Sequence, residues 1–313
     1  VDVGLGTEED FRAAAGSLAG AVALVRHEYP FSSTHFHRRR KYLLAVEAGC
    51  SAFIIANNIP GIGPVAGGCG TRGEIPAVGV SHEAGLALAR AARGRNPKVV
   101  LTAVSEETTW RTANLILDIP GATGKSVLIG AHLDGHVLAQ SAMDNATGVV
   151  ASMAIAEGFS RHVEKTGHGL RLAIFNVEEW GLEGSRHYLE SLGEGRESVP
   201  ILAVILDSIT GFPRLSALTA GNAAVESLCV RCEEETRVGI DIVRPLTRNS
   251  DHYNFQSRGI PALRLIAGYG EHSSLTRYLL TPADTEEIVV PAELKSATLT
   301  AANLTYTACA HWG

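Results

Sequence analysis

From about residue 114 onward the chain alternates short, near-continuous apolar runs with longer stretches whose apolar residues recur at helical spacing. The runs are 114–119, 126–133, 170–177, 201–206 and 262–267, and the helical stretches are 148–162, 182–192, 223–236, 252–256 and 291–309. A strand that is apolar on both faces must be covered on both faces. A mostly parallel sheet wound with helices provides that cover. The fold class expected is α/β: a mixed, mainly parallel central sheet flanked by helices. In such sheets ligands bind beyond the carboxyl ends of the strands, so those ends are where chemistry is expected.

Residues 1–108 read differently. Runs 21–25, 52–56, 77–80 and 99–104 are short, rich in Val and Ile, and bounded by Gly, Pro or Asn, as strands are. Between them, 38–49 and 81–93 have helical spacing, with Ser81 placed to cap the second. A smaller α+β domain is expected over 1–108, followed by a second domain over 109–313.

Composition narrows the function. Of the 313 residues, 45% are hydrophobic and 19% charged, enough for sizeable cores. Lys plus Arg number 27 against 33 Asp plus Glu, a formal charge of −6. That balance argues against a non-specific nucleic-acid binder. No apolar run reaches the roughly 18–20 residues of a membrane span, and residues from Val1 onward do not read as a charged-then-apolar targeting segment. The 5 cysteines are odd in number and too few for a disulfide scaffold. Cys229 and Cys232 share one helical face and read as buried thiols, with a disulfide left open. The 12 histidines prompt a search for a metal.

That search leads to the strand ends. Run 126–133 ends in His132-Leu133-Asp134-Gly135-His136, with Met143-Asp144-Asn145 in the following loop. Run 170–177 ends in Glu178-Glu179-Trp180, run 201–206 in Asp207-Ser208, and run 262–267 is followed by Tyr269-Gly270-Glu271-His272. One ionisable residue past a buried strand is commonly a cap or surface group, but such residues at several strand ends together are harder to dismiss. Mixed imidazole and carboxylate donors suit zinc in an open site. Two His and three or four carboxylates exceed the needs of one four-coordinate ion and suit two ions sharing a bridging carboxylate.

The pattern resembles the dizinc aminopeptidases of the M28 type. The resemblance is carried by His132-x-Asp134, Met143 to Gly148, Asn176 to Ser185, Asp207, Ser250-Asp251-His252 with Gly259-Ile260-Pro261-Ala262, and His272. Stretches 3–11, 20–26, 48–58 and 75–85 resemble a protease-associated (PA) domain, a common companion of such peptidases. The resemblance implies two zinc ions per chain. His132 and Asp207 would hold one and Glu179 and His272 the other, with Asp144 bridging. Glu178 would be the general base, and Asp134 would accept the second ring N–H of His132. It implies a peptide substrate, N-terminal trimming, and a secreted or periplasmic location, with a cytoplasmic one left open. His252 is the competitor of His272 as a ligand.

Other signals carry less. Gly61-x-Gly63-x-x-Ala66 lacks the helix a pyrophosphate site needs and reads as loop. The basic run 38–41 reads as a solvated helix start. His136 could line the pocket and His187 reads as structural or exposed; Trp180 could pack beneath the site, and Tyr269 could be a wall or an oxyanion donor. Carboxypeptidase, dipeptidase and glutaminyl-cyclase-like readings share the fold. Arg244, Arg248, Arg264 and Arg277 are candidates for binding a substrate carboxylate. The non-enzymatic alternative is a receptor or scaffold on an inactive peptidase domain.

Overall fold

The computed structural model describes residues 1–69, 73–94, 97–104, 106, 108–192 and 198–313. Two compact units result. The first comprises Val1–Arg111 with His136–Ala139 and Leu280–Ala283, and the second Thr112–Gly135, Gln140–Leu279 and Asp284–Gly313. The first takes in two short segments, His136–Ala139 and Leu280–Ala283, that sequence order alone would assign to the second.

In the first unit, β1 (Val22–Arg26), β2 (Ala52–Ala56) and β3 (Ala77–Val80) form a parallel sheet in that order. Helix α1 (Glu8–Ala14) opens on a Thr7 capping box with Asp10. Helix α2 (Arg38–Glu47) is capped by His37, and α3 (His82–Ala92) by Ser81, whose hydroxyl accepts from Ala84 N. The basic run is not wholly solvated: Lys41 is 1% exposed and bonds Glu28 and the Arg26 carbonyl. The expected strand 99–104 does not form, and Val100 and Val104 are 91% and 93% exposed. Leu101 packs against the core of the first sheet, but no strand among the described residues pairs with the run, and an unpaired strand has no ladder to hold it.

The second unit holds a sheet ordered β4-β6-β5-β7-β10-β8-β9. These are β4 (Leu115–Ile119), β5 (Ser126–His132), β6 (Gly169–Phe175), β7 (Leu202–Leu206), β8 (Leu215–Leu218), β9 (Ile240–Val243) and β10 (Ala262–Ala267). The central strands β6, β5, β7 and β10 are mutually parallel, while β4 and β8 run antiparallel to β6 and β10. Side-chain alternation sends Val127 and Ile129 to one face, packed with residues of α4 (Thr147–Ser160), α6 (Ala223–Thr236) and α8 (Pro291–His311). Leu128, Ala203 and Ile205 face the other way, toward α5 (Glu183–Leu192) and α7 (His252–Gln256). Cys229 and Cys232 are buried free thiols, pushed up by burial to about 12 and about 11, so they sit as small core residues.

Phe175 is fully buried at the end of β6, and its ring meets Tyr188 at 5.6 Å and Phe255 at 6.1 Å. Phe175→Ala is expected to cost about 3–5 kcal/mol of unfolding free energy, read by chemical denaturation; a loss under 1 kcal/mol would mean this aromatic cluster does not support the sheet.

Candidate metal centre and active site

Parallel register brings the strand ends to one edge. His132 of β5 lies opposite Phe175 of β6, Gly130 opposite Ile205 of β7, and Leu206 of β7 opposite Leu265 of β10. His132 and Asp207 each follow inward residues of the α5/α7 face by an even step, after Leu128 and Ile205. Gly130 gives the strands room here: a Cβ would sit 3.0 Å from the Ala173 carbonyl and 3.1 Å from the Phe175 ring, so these neighbours would have to give way.

Asp144 arrives on the loop ahead of α4 and is fixed by its neighbours. Asp284 accepts from Met143 N at 2.8 Å and from Asp144 N at 3.2 Å. Asn145 donates from Nδ2 to the Leu206 carbonyl at 2.8 Å, and its Oδ1 accepts from Gly148 N and Ser208 N. The loop is therefore stitched to the end of β7. Gly148 lets α4 start there, since a Cβ would come within 2.3 Å of both Asn145 Oδ1 and the Leu206 carbonyl.

The result is a buried three-residue group. His132 Nε2 lies 3.0 Å from Asp144 Oδ1 and 3.7 Å from Asp207 Oδ1, and the three side chains are 1%, 11% and 3% exposed. On its other side His132 Nδ1 lies 2.9 Å from the Asp134 main-chain oxygen. A carbonyl oxygen only accepts, so Nδ1 carries the proton and Nε2 is directed at the two carboxylates. One imidazole nitrogen and two carboxylate oxygens form a donor set that zinc accepts, with a fourth position for water or substrate. Burial alone would lower the His132 pKa, but Glu178 and bonds to Asp144 and Asp207 hold it well above its ordinary value. The arrangement favours a positive charge at this point.

Around this group the other expected residues divide. Asp134 accepts from Glu178 N at 2.9 Å and Glu179 N at 3.0 Å, so its carboxylate shapes the turn after β6. The His132 ring meets the Asp134 main chain, while the carboxylate stands 3.8 Å away. Glu178 is 8% exposed and its pKa is raised well above the carboxylate range, by burial and then by Glu179 and Asp207. Glu179 is half-buried, and His272 is exposed. Among the described residues the only His/Cys/Asp/Glu group with ligand atoms mutually within 4.8 Å is His132–Asp144–Asp207. Glu179 and His272 stand outside it.

Sequence reasoning did not foresee the roles of Arg264 and Asp284. Arg264 is 1% exposed, with Nη2 3.0 Å from Asp207 Oδ1. Burial would raise the Asp207 pKa, but the Arg264 guanidinium and His132 hold it well below its ordinary value. Arg264 is thus not placed to read a substrate carboxylate. Arg277 lies over the Tyr278 ring, Arg248 over Tyr253, and Arg244 pairs with Glu226. Trp180 is 63% exposed rather than packed beneath the site. His187 is solvated beside Glu183 and Glu190. His252, the competitor ligand, opens α7 fully buried beside Arg264, and burial pushes its pKa down to about 3.

Asp251 is fully buried and its carboxyl, hydrogen-bonded by Ser185, is pushed up by burial to about 7 from 3.8. The native state therefore holds a proton that the unfolded chain releases near pH 4. This group's contribution is fully present below pH 4 and is lost as pH rises through about 7. Metal-free protein is expected to lose up to about 1.4 kcal/mol per pH unit between these values. Asp251→Asn should flatten that slope in denaturant titrations at a series of pH values, and an unchanged slope would sink the assignment.

Comparison with known proteins accords with this geometry. Residues 114–305 match the model of Peptidase family M28, and residues 2–88 match the PA domain. Aminopeptidase YwaD of Bacillus subtilis is 26% identical over 303 residues, covering 95% of this chain and 63% of that protein. Probable lipoprotein aminopeptidase LpqL of Mycobacterium tuberculosis is 33% identical over 181 residues, covering 56% of this chain and 33% of that one. The chain thus spans about a third to three-fifths of the length of these two curated relatives. The zinc aminopeptidase BSAP from Bacillus subtilis superposes with a TM-score of 0.74 at 25% identity, over 99% of this chain and 74% of that one. The aminopeptidase from Aneurinibacillus sp. strain AM-1 does so at 0.67 and 27%, over 99% and 74%. With its own α/β sheet, the buried His-Asp-Asp group at the strand ends and a matching model over most of the second half, the chain belongs to peptidase family M28 and carries a PA domain ahead of the peptidase domain.

Proposed function

We propose that the chain is a zinc-dependent aminopeptidase that hydrolyses the N-terminal peptide bond of peptides, with residues 1–108 and 109–313 as its two domains. The observation that carries the reading is the buried His132–Asp144–Asp207 group with Glu178 beside it. The names of the relatives support the aminopeptidase choice. So does the pairing of Arg264 with Asp207, which removes one candidate for binding a substrate's terminal carboxylate.

Zinc, when bound, supplies Lewis acidity: it acidifies water and polarises a carbonyl. The chain's own residues do the rest. His132, Asp144 and Asp207 hold the ion, and the Asp134 main chain keeps the His132 tautomer that exposes Nε2. Glu178, buried and raised in pKa, takes the water proton and passes it to the leaving amine. Asp134 holds Glu178 in place through the main-chain N–H groups of Glu178 and Glu179. The half-buried Tyr269 follows β10 and its backbone N–H bonds Ser216, so it is a wall candidate.

For location, no helix among the described residues is long and apolar enough to cross a membrane. The lipoprotein name of one relative supports the expected placement outside the cytoplasm.

Cleavage of aminoacyl-anilides that stops on chelation and returns with zinc is the direct test, and product analysis of a peptide library identifies the terminus trimmed. Trimming from the C-terminus would overturn the aminopeptidase reading; a folded chain inert on every peptide would favour a scaffold. Glu178→Gln should keep zinc and lower turnover by about 10²- to 10⁴-fold. Asp144→Ala should lose zinc and turnover together, as metal analysis on the same samples will read. Equal zinc loss in both variants would mean that base and ligand have been exchanged.

A further inference from the structure

We infer that this chain builds a centre for one zinc ion rather than two; the inference rests on the zinc-peptidase reading above and deepens it. Ligand atoms about 2.0–2.2 Å from one zinc lie within about 4 Å of each other. His132 Nε2 is 3.0 Å from Asp144 and 3.7 Å from Asp207, the three ligand atoms lie within 4.8 Å of one another, and no other group of three or more His, Cys, Asp or Glu among the described residues does so. A second ion sharing Asp144 would need Glu179 and a nitrogen donor brought to the same point.

The nitrogen donor is what the fold withholds. His272 is exposed on a turn that is pinned on both sides. Glu271 N bonds the Gly268 carbonyl and Ser274 N bonds the Glu271 carbonyl. Ser274 is fully buried, its hydroxyl donating to the Gly211 and Ala267 carbonyls, and Leu275 N also bonds Gly211. These bonds fix the main chain around His272, which is exposed and outside the His132–Asp144–Asp207 group. His252 is buried beside Arg264 and is not in the group. The other segment tied to Asp144 is the one ending in Asp284, whose carboxylate holds Met143 N and Asp144 N. The residues ahead of it, Leu279-Leu280-Thr281-Pro282-Ala283, contain no imidazole or thiol. A second position built from what remains, Glu178 and Glu179 with Asp144, would be all-carboxylate. Such a set suits magnesium, calcium or manganese and is a poor zinc site.

The test is stoichiometry. Chelator-stripped full-length chain is titrated with zinc in a calorimeter, and the metal retained after gel filtration against a weak competing chelator is counted by atomic absorption. The expected result is about one zinc per chain. His132→Ala and Asp207→Asn should each abolish retention, with circular dichroism reporting the fold. Glu179→Gln and His272→Ala should keep about one zinc, with affinity within about threefold of the parent. Two zincs retained by the parent chain, falling to one in His272→Ala, would overturn the inference and leave the aminopeptidase reading standing. One zinc retained without cleavage of any aminoacyl-anilide would uphold the count and overturn the aminopeptidase reading. No zinc retained by the folded parent chain would overturn both.

Discussion

Two carboxylates and one imidazole meet where solvent is nearly excluded, and the second unit is organised around that meeting. Charges taken from water are costly unless paired. The Asp144 and Asp207 side chains are 11% and 3% exposed, and both turn toward His132 Nε2. Without a cation the group draws a proton onto the imidazole. With a dication in that place the same oxygens and nitrogen would be satisfied by coordination. The centre is therefore unstable as a neutral, dry pocket, and the surrounding structure serves to keep the three side chains from separating.

That service is divided among backbone contacts from several parts of the chain. Parallel register between β5, β6, β7 and β10 sets His132 and Asp207 on one edge. Asn145 then ties the Asp144 loop to the Leu206 carbonyl and the Ser208 N–H, while Asp284 clamps it from the far end of the sequence. Asp134 does the same for the turn after β6 by accepting from both Glu178 and Glu179. In each case a short polar side chain satisfies main-chain groups that a loop would otherwise leave unpaired. The carboxylates at this site therefore do two jobs: some face the candidate metal position, and others hold the loops that present them.

The periodicity of the sequence made the central strands and most helices legible, because fully buried strands read as apolar runs and their ends carry the ionisable residues. Ala262–Ala267, Ala223–Thr236 and His252–Gln256 have the bounds the sequence implied. The short strands Leu215–Leu218 and Ile240–Val243 were not anticipated, since four residues carry little period. Run 99–104 misled in the opposite sense: it has strand composition, but pairing is a long-range property that composition does not encode. At the site, His132, Asp144 and Asp207 could be singled out as residues past strand ends. The contribution of Arg264 could not, because an arginine inside an apolar strand announces burial but not its partner. Nor could that of Asp284, which acts on Asp144 from 140 positions away.

Arg264 also explains how neighbouring acids can differ in character. Asp207 and Glu178 are both buried, at 2% and 8% exposure, so burial pushes both toward the neutral form. The guanidinium beside Asp207 reverses that push and keeps its carboxylate charged. At Glu178 burial is the largest influence and the His132 charge opposes it, but Glu179 and Asp207 add to burial, and its pKa rises. A ligand must stay ionised to hold a cation, whereas a base must be able to keep the proton it removes. One fixed positive charge, placed on one side of the site, therefore separates a residue suited to coordination from one suited to proton transfer. Replacing that guanidinium by an apolar side chain of similar length would leave Asp207 facing the same burial as Glu178, and the distinction between the two acids would narrow.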